Sequence, residues 1–475
     1  MCALIQPDVS DPSLPFSGLL NVSSPFVCGH WDPSISCGCQ IGPLSDLCVC
    51  LNYVALAIAF RAPVLGRPAI ARQFLVPRKK TMFESVPVNP PDAIFGLNEL
   101  FKNDTNANKI NLTVGVYKDA SGQTPIMKSV KLAEQILLDN STTKSYLPID
   151  GAPAYRTSVA ELILGKDLSG KALASTAQTP GGTVSLRVSG ELVRRVLGVK
   201  TIWMSNPTWA NHPKIFGQAG LEVKQYDYLD QSGTGLDFEK VKASLASAQS
   251  GDAVLLHTVC HNPTGVDLSS DQWAELGELM KTKSLLPIFD FAYQGFGEGI
   301  EEDALPIRQF VATGGEAIIC NSFSKNFGLY GERVGGITAI SQSAEAAAAM
   351  QSQIKSTIRT MYSNPPIHGG AIVQTVLADA DLRKTWEDEL TGIRERIVTL
   401  RSQFVEKMTA LVPGRDFEYI NRQRGMFSYS GLNKDQAEAL RNDHSIYILG
   451  SGRINIAGMN ADNMDGLCKA IASVL

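Results

Sequence analysis

The groups that could do chemistry gather in a few short segments. Lys325 comes after a buried-looking apolar run, Ala317 to Cys320, and the serines Ser322 and Ser324. It precedes Asn326-Phe327-Gly328-Leu329-Tyr330-Gly331-Glu332-Arg333. A single lysine is by base rate a solvated surface charge. Just past a buried strand, in a loop rich in Gly and Ser, it becomes a candidate for a desolvated amine able to form a Schiff base. Arg333, eight residues on, could grip a phosphate beside the Ser322 hydroxyl; taken alone, it reads better as a surface salt bridge.

A second anion candidate is Thr179-Pro180-Gly181-Gly182-Thr183, which runs into an apolar-periodic stretch from Val184 to Leu197. Free N–H groups and the positive dipole end make a helix N-terminus ready for an anion, and glycine lets the backbone approach closely. By itself a Gly-Gly before a helix is only a turn. Asp290 ends the apolar run Leu285 to Phe289. A carboxylate in such surroundings calls for a cationic partner, such as a protonated pyridine nitrogen. Taken alone, a cap on the next helix is the better reading.

The elements that must position these groups are legible in the hydrophobic pattern. Compact apolar runs, Val254 to Cys260, Leu285 to Phe289 and Ala317 to Cys320, alternate with helical periodicity. Val130, Ala133, Ile136 and Leu137 make one apolar stripe. Trp273, Leu276, Leu279 and Met280 make another, behind a capping-box pattern of Ser269 with Gln272. Strands buried on both faces and alternating with helices predict a mainly parallel sheet under helical cover, an α/β fold. Chemistry in such sheets sits at the carboxyl ends of the strands. Three segments should therefore converge: Cys260-His261-Asn262-Pro263-Thr264-Gly265, Asp290-Phe291-Ala292-Tyr293 and Asn321-Ser322-Phe323-Ser324-Lys325.

Composition narrows the class. The 475 residues are 44% hydrophobic and 19% charged, an ordinary globular balance, and Lys plus Arg 43 against Asp plus Glu 47 gives a net charge of −4. That offers no basic field for nucleic acid and no multi-span membrane protein, so neither nucleic acid nor membrane is expected as a partner. Six of the nine cysteines fall in the first fifty residues. Cys260, Cys320 and Cys468 are left for the rest, with no disulfide framework. Cys37-Gly-Cys39 with Cys48-Val-Cys50 lacks zinc-site spacing, and no metal is expected.

The front of the chain differs in composition from the remainder. Residues 1–46 carry no Lys or Arg, and 1–81 read as a disordered extension or a targeting segment. From 47 to 83 there are six basic residues and no acid, which leans toward mitochondria, with the cytoplasm as the other compartment. The run Leu47 to Phe60 is too short to span a bilayer.

The motifs taken together carry a resemblance. Ser322-Phe-Ser-Lys325-Asn-Phe-Gly-Leu-Tyr-Gly-Glu-Arg333-Val-Gly, His261-Asn262-Pro-Thr-Gly, Phe289-Asp290-Phe-Ala-Tyr293-Gln-Gly-Phe, Tyr362-Ser-Asn-Pro-Pro and Ser451-Gly-Arg453-Ile-Asn-Ile-Ala-Gly-Met resemble the aspartate aminotransferase family, class I pyridoxal-phosphate-dependent aminotransferases of fold type I. The likeness covers Met82 to Leu475. It implies a large domain with a mostly parallel seven-stranded sheet and a smaller α+β domain. The expected division is 82–124 for an arm and part of the small domain, 125–392 for the large domain and 393–475 for the rest of the small one. It also implies a homodimer with active sites shared between subunits.

The resemblance assigns roles position by position. Lys325 would join pyridoxal phosphate covalently and shuttle the proton, and Asp290 would pair with the pyridinium nitrogen. Asn262 and Tyr293 would hydrogen-bond its phenolic oxygen, Trp209 would stack on the ring, and His212 would support Asp290 from behind. Gly182, Thr183, Ser322 and Arg333 would hold the phosphate, joined by Tyr146 from the neighbouring subunit. Arg453 would grip the substrate α-carboxylate, Arg359 from the partner the distal one, and Gly115 would belong to a segment covering the substrate. The implied reaction is a ping-pong transfer of the amino group between L-aspartate and 2-oxoglutarate, giving oxaloacetate and L-glutamate. A lyase on this fold need not keep both arginines, and a DNA-binding relative would carry a helix-turn-helix pattern that is missing here.

Overall fold

The computed structural model describes residues 81–89 and 93–475. Of the two units into which the chain divides, Met1–Pro87 and Val88–Leu475, the second holds all the strands and α-helices among the described residues. The expectations for residues 1–80, including the six early cysteines and most of the basic stretch 47–83, lie outside the described residues.

The second unit is organised on one sheet and two small ribbons. In chain order the strands are β1 (Ile110–Asn111), β2 (Leu173–Thr179), β3 (Thr201–Asn206), β4 (Glu222–Asp227), β5 (Ala253–His257), β6 (Leu286–Phe291), β7 (Ala317–Ser322), β8 (Gly335–Ser341), β9 (Phe427–Tyr429), β10 (Ile446–Tyr447) and β11 (Arg453–Asn455). Seven of them form the main sheet in the order β2-β8-β7-β6-β5-β3-β4, in which β8 alone runs against the others. Every residue of β5, β7 and β8 is buried, because helices cover both faces. The expected α/β fold with a mostly parallel seven-stranded sheet is therefore present.

Two expectations about elements need correcting. Strand β6 runs two residues past Phe289, so Asp290 lies inside the ladder, paired with His257 of β5 and Cys320 of β7. It caps no helix. The stripe on helix Lys128–Asn140 is narrower than expected: Val130 and Ala133 are buried, but Ile136 is 40% exposed. At about 100° per residue, six positions carry Ile136 some 120° away from Val130, off the face that packs on helices Ile367–Ala378 and Ala380–Leu411. On helix Ser270–Thr282, by contrast, Trp273, Leu276 and Met280 are buried, Leu279 packs against them, and Ser269 and Gln272 make the reciprocal capping box.

The ribbons lie outside the main sheet. β1 pairs in parallel with β10, and β9 pairs antiparallel with β11, setting Arg453 opposite Tyr429 and Phe427 opposite Asn455. The 32-residue helix Ala380–Leu411 packs against both Glu418–Arg422 and Ala461–Ser473. Cys260, Cys320 and Cys468 are free and buried. Among the described residues no helix is long and apolar enough to cross a membrane.

Candidate active site

The carboxyl ends of β5, β6 and β7 open into one cavity of about 190 Å³. It is lined by Gly115, Gly182, Thr183, Trp209, Asn262, Asp290, Tyr293, Ser322, Lys325, Arg333 and Arg453, which the sequence had singled out in separate segments. A larger hollow of about 380 Å³ lies between helices Ser270–Thr282 and Leu305–Ala312, but it is walled mostly by apolar side chains and gathers no convergent polar groups. The chemistry belongs in the smaller cavity.

The Lys325 side-chain amine makes no hydrogen bond or ion pair among the described residues, and its Nζ lies 5.2 Å from the centroid of the Tyr293 ring. Burial, seconded by the charge of Arg333, holds its amine below the ordinary lysine value, against the pull of Asp290. Such an amine is more readily neutral and nucleophilic than one in water. Burial by itself would raise the Asp290 carboxyl. The bond from His212, with the nearby charges of His212, His257 and Lys325, outweighs it and holds the carboxyl low.

A short relay fixes that carboxylate. His212 lies between two partners, its Nε2 3.0 Å from Asp290 Oδ2 and its Nδ1 2.8 Å from Thr208 Oγ1. Trp209 meets the His212 ring edge-on at 5.2 Å. Two further histidines lie behind. His261 bonds Ser205 and Thr264 and stacks on Tyr228, while the buried Nε2 of His257 has no partner. Burial, then the charge of His212, pushes His257 down to about 3. His212, His257 and Asp290 hold their ligand atoms within 4.8 Å of one another, but two of the three are already committed to each other.

At the other end of the cavity the groups suit an anion. Helix Gly182–Arg195 begins there, after Gly181 at φ +84°. A Cβ on Gly181 would lie 2.5 Å from Arg333 Nη2, and one on Gly182 would press on the Ser322 Cβ at 3.1 Å. The cup exists because both are glycine. Arg333 has no carboxylate partner among the described residues; its Nη1 donates to the Tyr330 carbonyl at 3.0 Å and to Ser324 Oγ at 3.4 Å. The surface salt bridge open to it from the sequence does not form.

Arg453, on β11, is 3% exposed. Its Nη2 donates to the Thr113 carbonyl and its Nη1 to Asn262 Oδ1 at 3.3 Å, while its buried Nε has no partner. Burial lowers the guanidinium to about 10, so it stays charged at neutral pH. It rests 4.0 Å over the Phe427 ring, and the Cζ of that ring would lie 2.7 Å from a Cβ on Gly115.

Tyr146 and Arg359 are not in this cavity. They lie together in a separate groove with Lys144 and Tyr362, Tyr146 being 92% exposed. This is the arrangement expected of residues serving a neighbouring subunit's site. Sequence reasoning missed Ser324, which was quoted in the lysine loop without a role, and Phe427. It also missed Arg401, whose buried guanidinium donates to the carbonyls of Gly425 and Phe427. Burial pushes Arg401 down to about 9. Nothing in the local pattern around Phe427 or Arg401 marks them.

Residues 107–471 match the family described as aminotransferase class I and II. The chain is 51% identical over 399 residues to an aspartate aminotransferase of Salmonella typhi, covering 83% of this chain and all of that protein. It is 44% identical to an aromatic-amino-acid aminotransferase of Pseudomonas aeruginosa, over 82% of this chain and 98% of that one. A solved aromatic-amino-acid aminotransferase of Burkholderia pseudomallei, covalently bound to pyridoxal phosphate, superposes with a TM-score of 0.81 at 45% identity, over 83% of this chain and all of that one.

Proposed function

The chain belongs to the aminotransferase class I and II family, and from that premise we propose that it transfers the amino group of L-aspartate to 2-oxoglutarate, giving oxaloacetate and L-glutamate. It is a pyridoxal-phosphate-dependent transaminase. The residues present fit that cofactor. A glycine cup faces an unpaired arginine for the phosphate, a low carboxylate suits a pyridinium, and a buried amine has no partner. When bound, pyridoxal phosphate supplies an electron sink for the pair of electrons left at the substrate α-carbon.

The chain's own groups do the rest. Lys325, its amine kept from full protonation by burial, takes the α-proton and later returns a proton to the reacting system. Asp290, ionised and held by His212, keeps the ring nitrogen protonated. Asn262 and Tyr293 would hydrogen-bond the phenolic oxygen, and Trp209 would stack on the ring. Gly182, Thr183, Ser322 and Arg333 receive the phosphate, with Tyr146 of a second copy. Arg453 binds the α-carboxylate, and Gly115 helps cover the substrate. The observation that carries the reading is the buried, unpartnered Nε of Arg453, lining the same cavity as Lys325. A guanidinium in that state calls for a bidentate carboxylate.

One feature separates aspartate from other donors. Arg359, from the partner of a homodimer, provides the second cation that a dicarboxylate requires. The division we propose, 82–124 for an arm and part of the small domain, 125–392 for the large domain and 393–475 for the rest of the small one, would set Arg453 and Lys325 on different domains. The lean toward mitochondria gains no support from the relatives above, which are bacterial. The test is a coupled assay with 2-oxoglutarate comparing L-aspartate with L-phenylalanine. Strong preference for aspartate is expected; comparable rates would move the chain to the aromatic branch that its relatives also include.

A further inference from the structure

Two carboxylates behind the cavity do no chemistry in the transfer of the amino group, yet each grips the backbone next to a side chain that does. Asp303, 4% exposed, accepts from the amides of Gly295 at 2.8 Å, Gly297 at 3.0 Å and Glu298 at 2.8 Å. That ties the loop into a knot whose stem is Tyr293: the Phe296 amide returns to the Tyr293 carbonyl at 3.0 Å, and the Phe296 ring meets the Tyr293 ring edge-on. Asp267 does the same for the neighbouring turn, accepting from the amides of Cys260 at 2.7 Å and His261 at 2.8 Å, immediately before Asn262.

Neither carboxylate contacts a lysine or arginine among the described residues. Burial pushes Asp267 up to about 6, and the charge of Asp303 adds to it; burial likewise raises Asp303. A buried carboxylate without a cation costs stability unless hydrogen bonds offset its desolvation, and here the backbone amides of the two loops do so. The close packing shows how little latitude the loops have. A Cβ on Gly297 would lie 2.5 Å from both Asp303 Oδ1 and Val259 Cγ2, so the two loops touch across that glycine.

We propose that Asp303 and Asp267 are positioning residues that hold Tyr293 and Asn262 at the cofactor's phenolic oxygen by fixing the backbone on which those two side chains stand. This rests on the reading that Tyr293 and Asn262 face that oxygen. The Tyr293 hydroxyl has no hydrogen-bond partner among the described residues, so its place is set from the stem of its loop. Asn262 has the single side-chain bond from Arg453.

The test uses the full chain with Asp303→Asn, Asp267→Asn and, as a direct control, Tyr293→Phe. With pyridoxal phosphate bound, the pH midpoint of the lysine-linked cofactor's absorbance should move in Asp303→Asn in the same direction as in Tyr293→Phe. The expected shift is about half a pH unit, with kcat falling more than KM rises. Asp303→Glu, which keeps the charge, should recover part of it. In the protein without cofactor, amide exchange at Gly295, Gly297 and Glu298 should quicken. A folded Asp303→Asn with the wild-type midpoint overturns the proposal when Tyr293→Phe itself shifts. If Tyr293→Phe leaves the midpoint unmoved, the assignment of Tyr293 to the oxygen is what fails. The strut then stands or falls on amide exchange, where a wild-type rate in Asp303→Asn overturns it. Should Asp303→Asn not fold, Asp267→Asn, read at Cys260 and His261, decides by the same criteria.

Discussion

Lys325 is useful because its surroundings deny it what a lysine ordinarily has. No carboxylate among the described residues touches it, and burial holds its amine down while Asp290 pulls it back up. Lys325→Ala should lower turnover by at least about 10⁴-fold and abolish the absorbance of lysine-linked cofactor; retention of that band would refute the assignment. His257 shows the same physics as a pH effect. Its folded pKa is about 3, and its unfolded value is 6.5. Above pH 6.5 both states are neutral and nothing is gained or lost. Between 6.5 and 3 only the unfolded chain takes up the proton, so stability falls with pH, by roughly up to 5 kcal/mol. Denaturant midpoints measured from pH 7 to 4 should fall more steeply in the wild type than in His257→Asn; equal slopes would remove His257 as a cause. Lys325 and Asp290 stood out in the sequence because their residue types are costly to bury and sat beside apolar runs, whereas Arg453 came only through the resemblance carried by Ser451-Gly-Arg453-Ile-Asn. Asp303, Arg401 and Phe427 did not stand out: Arg401 reaches the carbonyls of Gly425 and Phe427 beyond its own helix, Phe427 stands against Gly115 and Tyr293 more than a hundred residues away, and Asp303 belongs to a loop whose knot leaves no periodic trace.

At the scale of elements, strands were read within a few residues because burial on both faces makes their composition nearly uniform. Their ends were not, since the ladder with neighbours and not the apolar run decides where a strand stops. Asp290, which taken alone reads as a cap on the next helix, stands inside the ladder for that reason. The junction of β2 with helix Gly182–Arg195 shows an element doing site work. Gly181 sits at φ +84° with Arg333 against the place where a Cβ would stand. Gly181→Ala should cost about 1–3 kcal/mol in stability and weaken pyridoxal phosphate binding about tenfold by pushing Arg333 aside. Equilibrium titration of the cofactor-free protein measures this, and unchanged affinity would show that Arg333 can yield without loss of its phosphate contact. Gly198, also at positive φ but with nothing within 4 Å, is the matched control for the backbone effect alone.

For the whole molecule the decisive observation is that the proposed site residues fall in two separate places. The cavity gathers Lys325, Asp290, Arg333 and Arg453, while Tyr146 and Arg359 face a different groove, with Tyr146 almost wholly exposed. A large aromatic side chain left in water beside an arginine is poorly placed for a lone chain and well placed to reach a second copy. If two copies share their sites, each site takes Lys325 from one subunit and Arg359 from the other. Lys325→Ala should be inactive, and Arg359→Ala should lose about 10²- to 10³-fold on aspartate but much less on phenylalanine, since only the dicarboxylate uses that cation. Mixing the two variants under conditions that exchange subunits then makes a specific demand. In the hybrid, one site carries both lesions and the other carries neither. With random exchange half of the dimers are hybrids, so about a quarter of all sites should regain full activity on aspartate. Sites built within single chains would give no recovery at all, because every chain in the mixture carries one lesion. Activity assayed before and after exchange therefore distinguishes a shared site from two independent ones without any further structure.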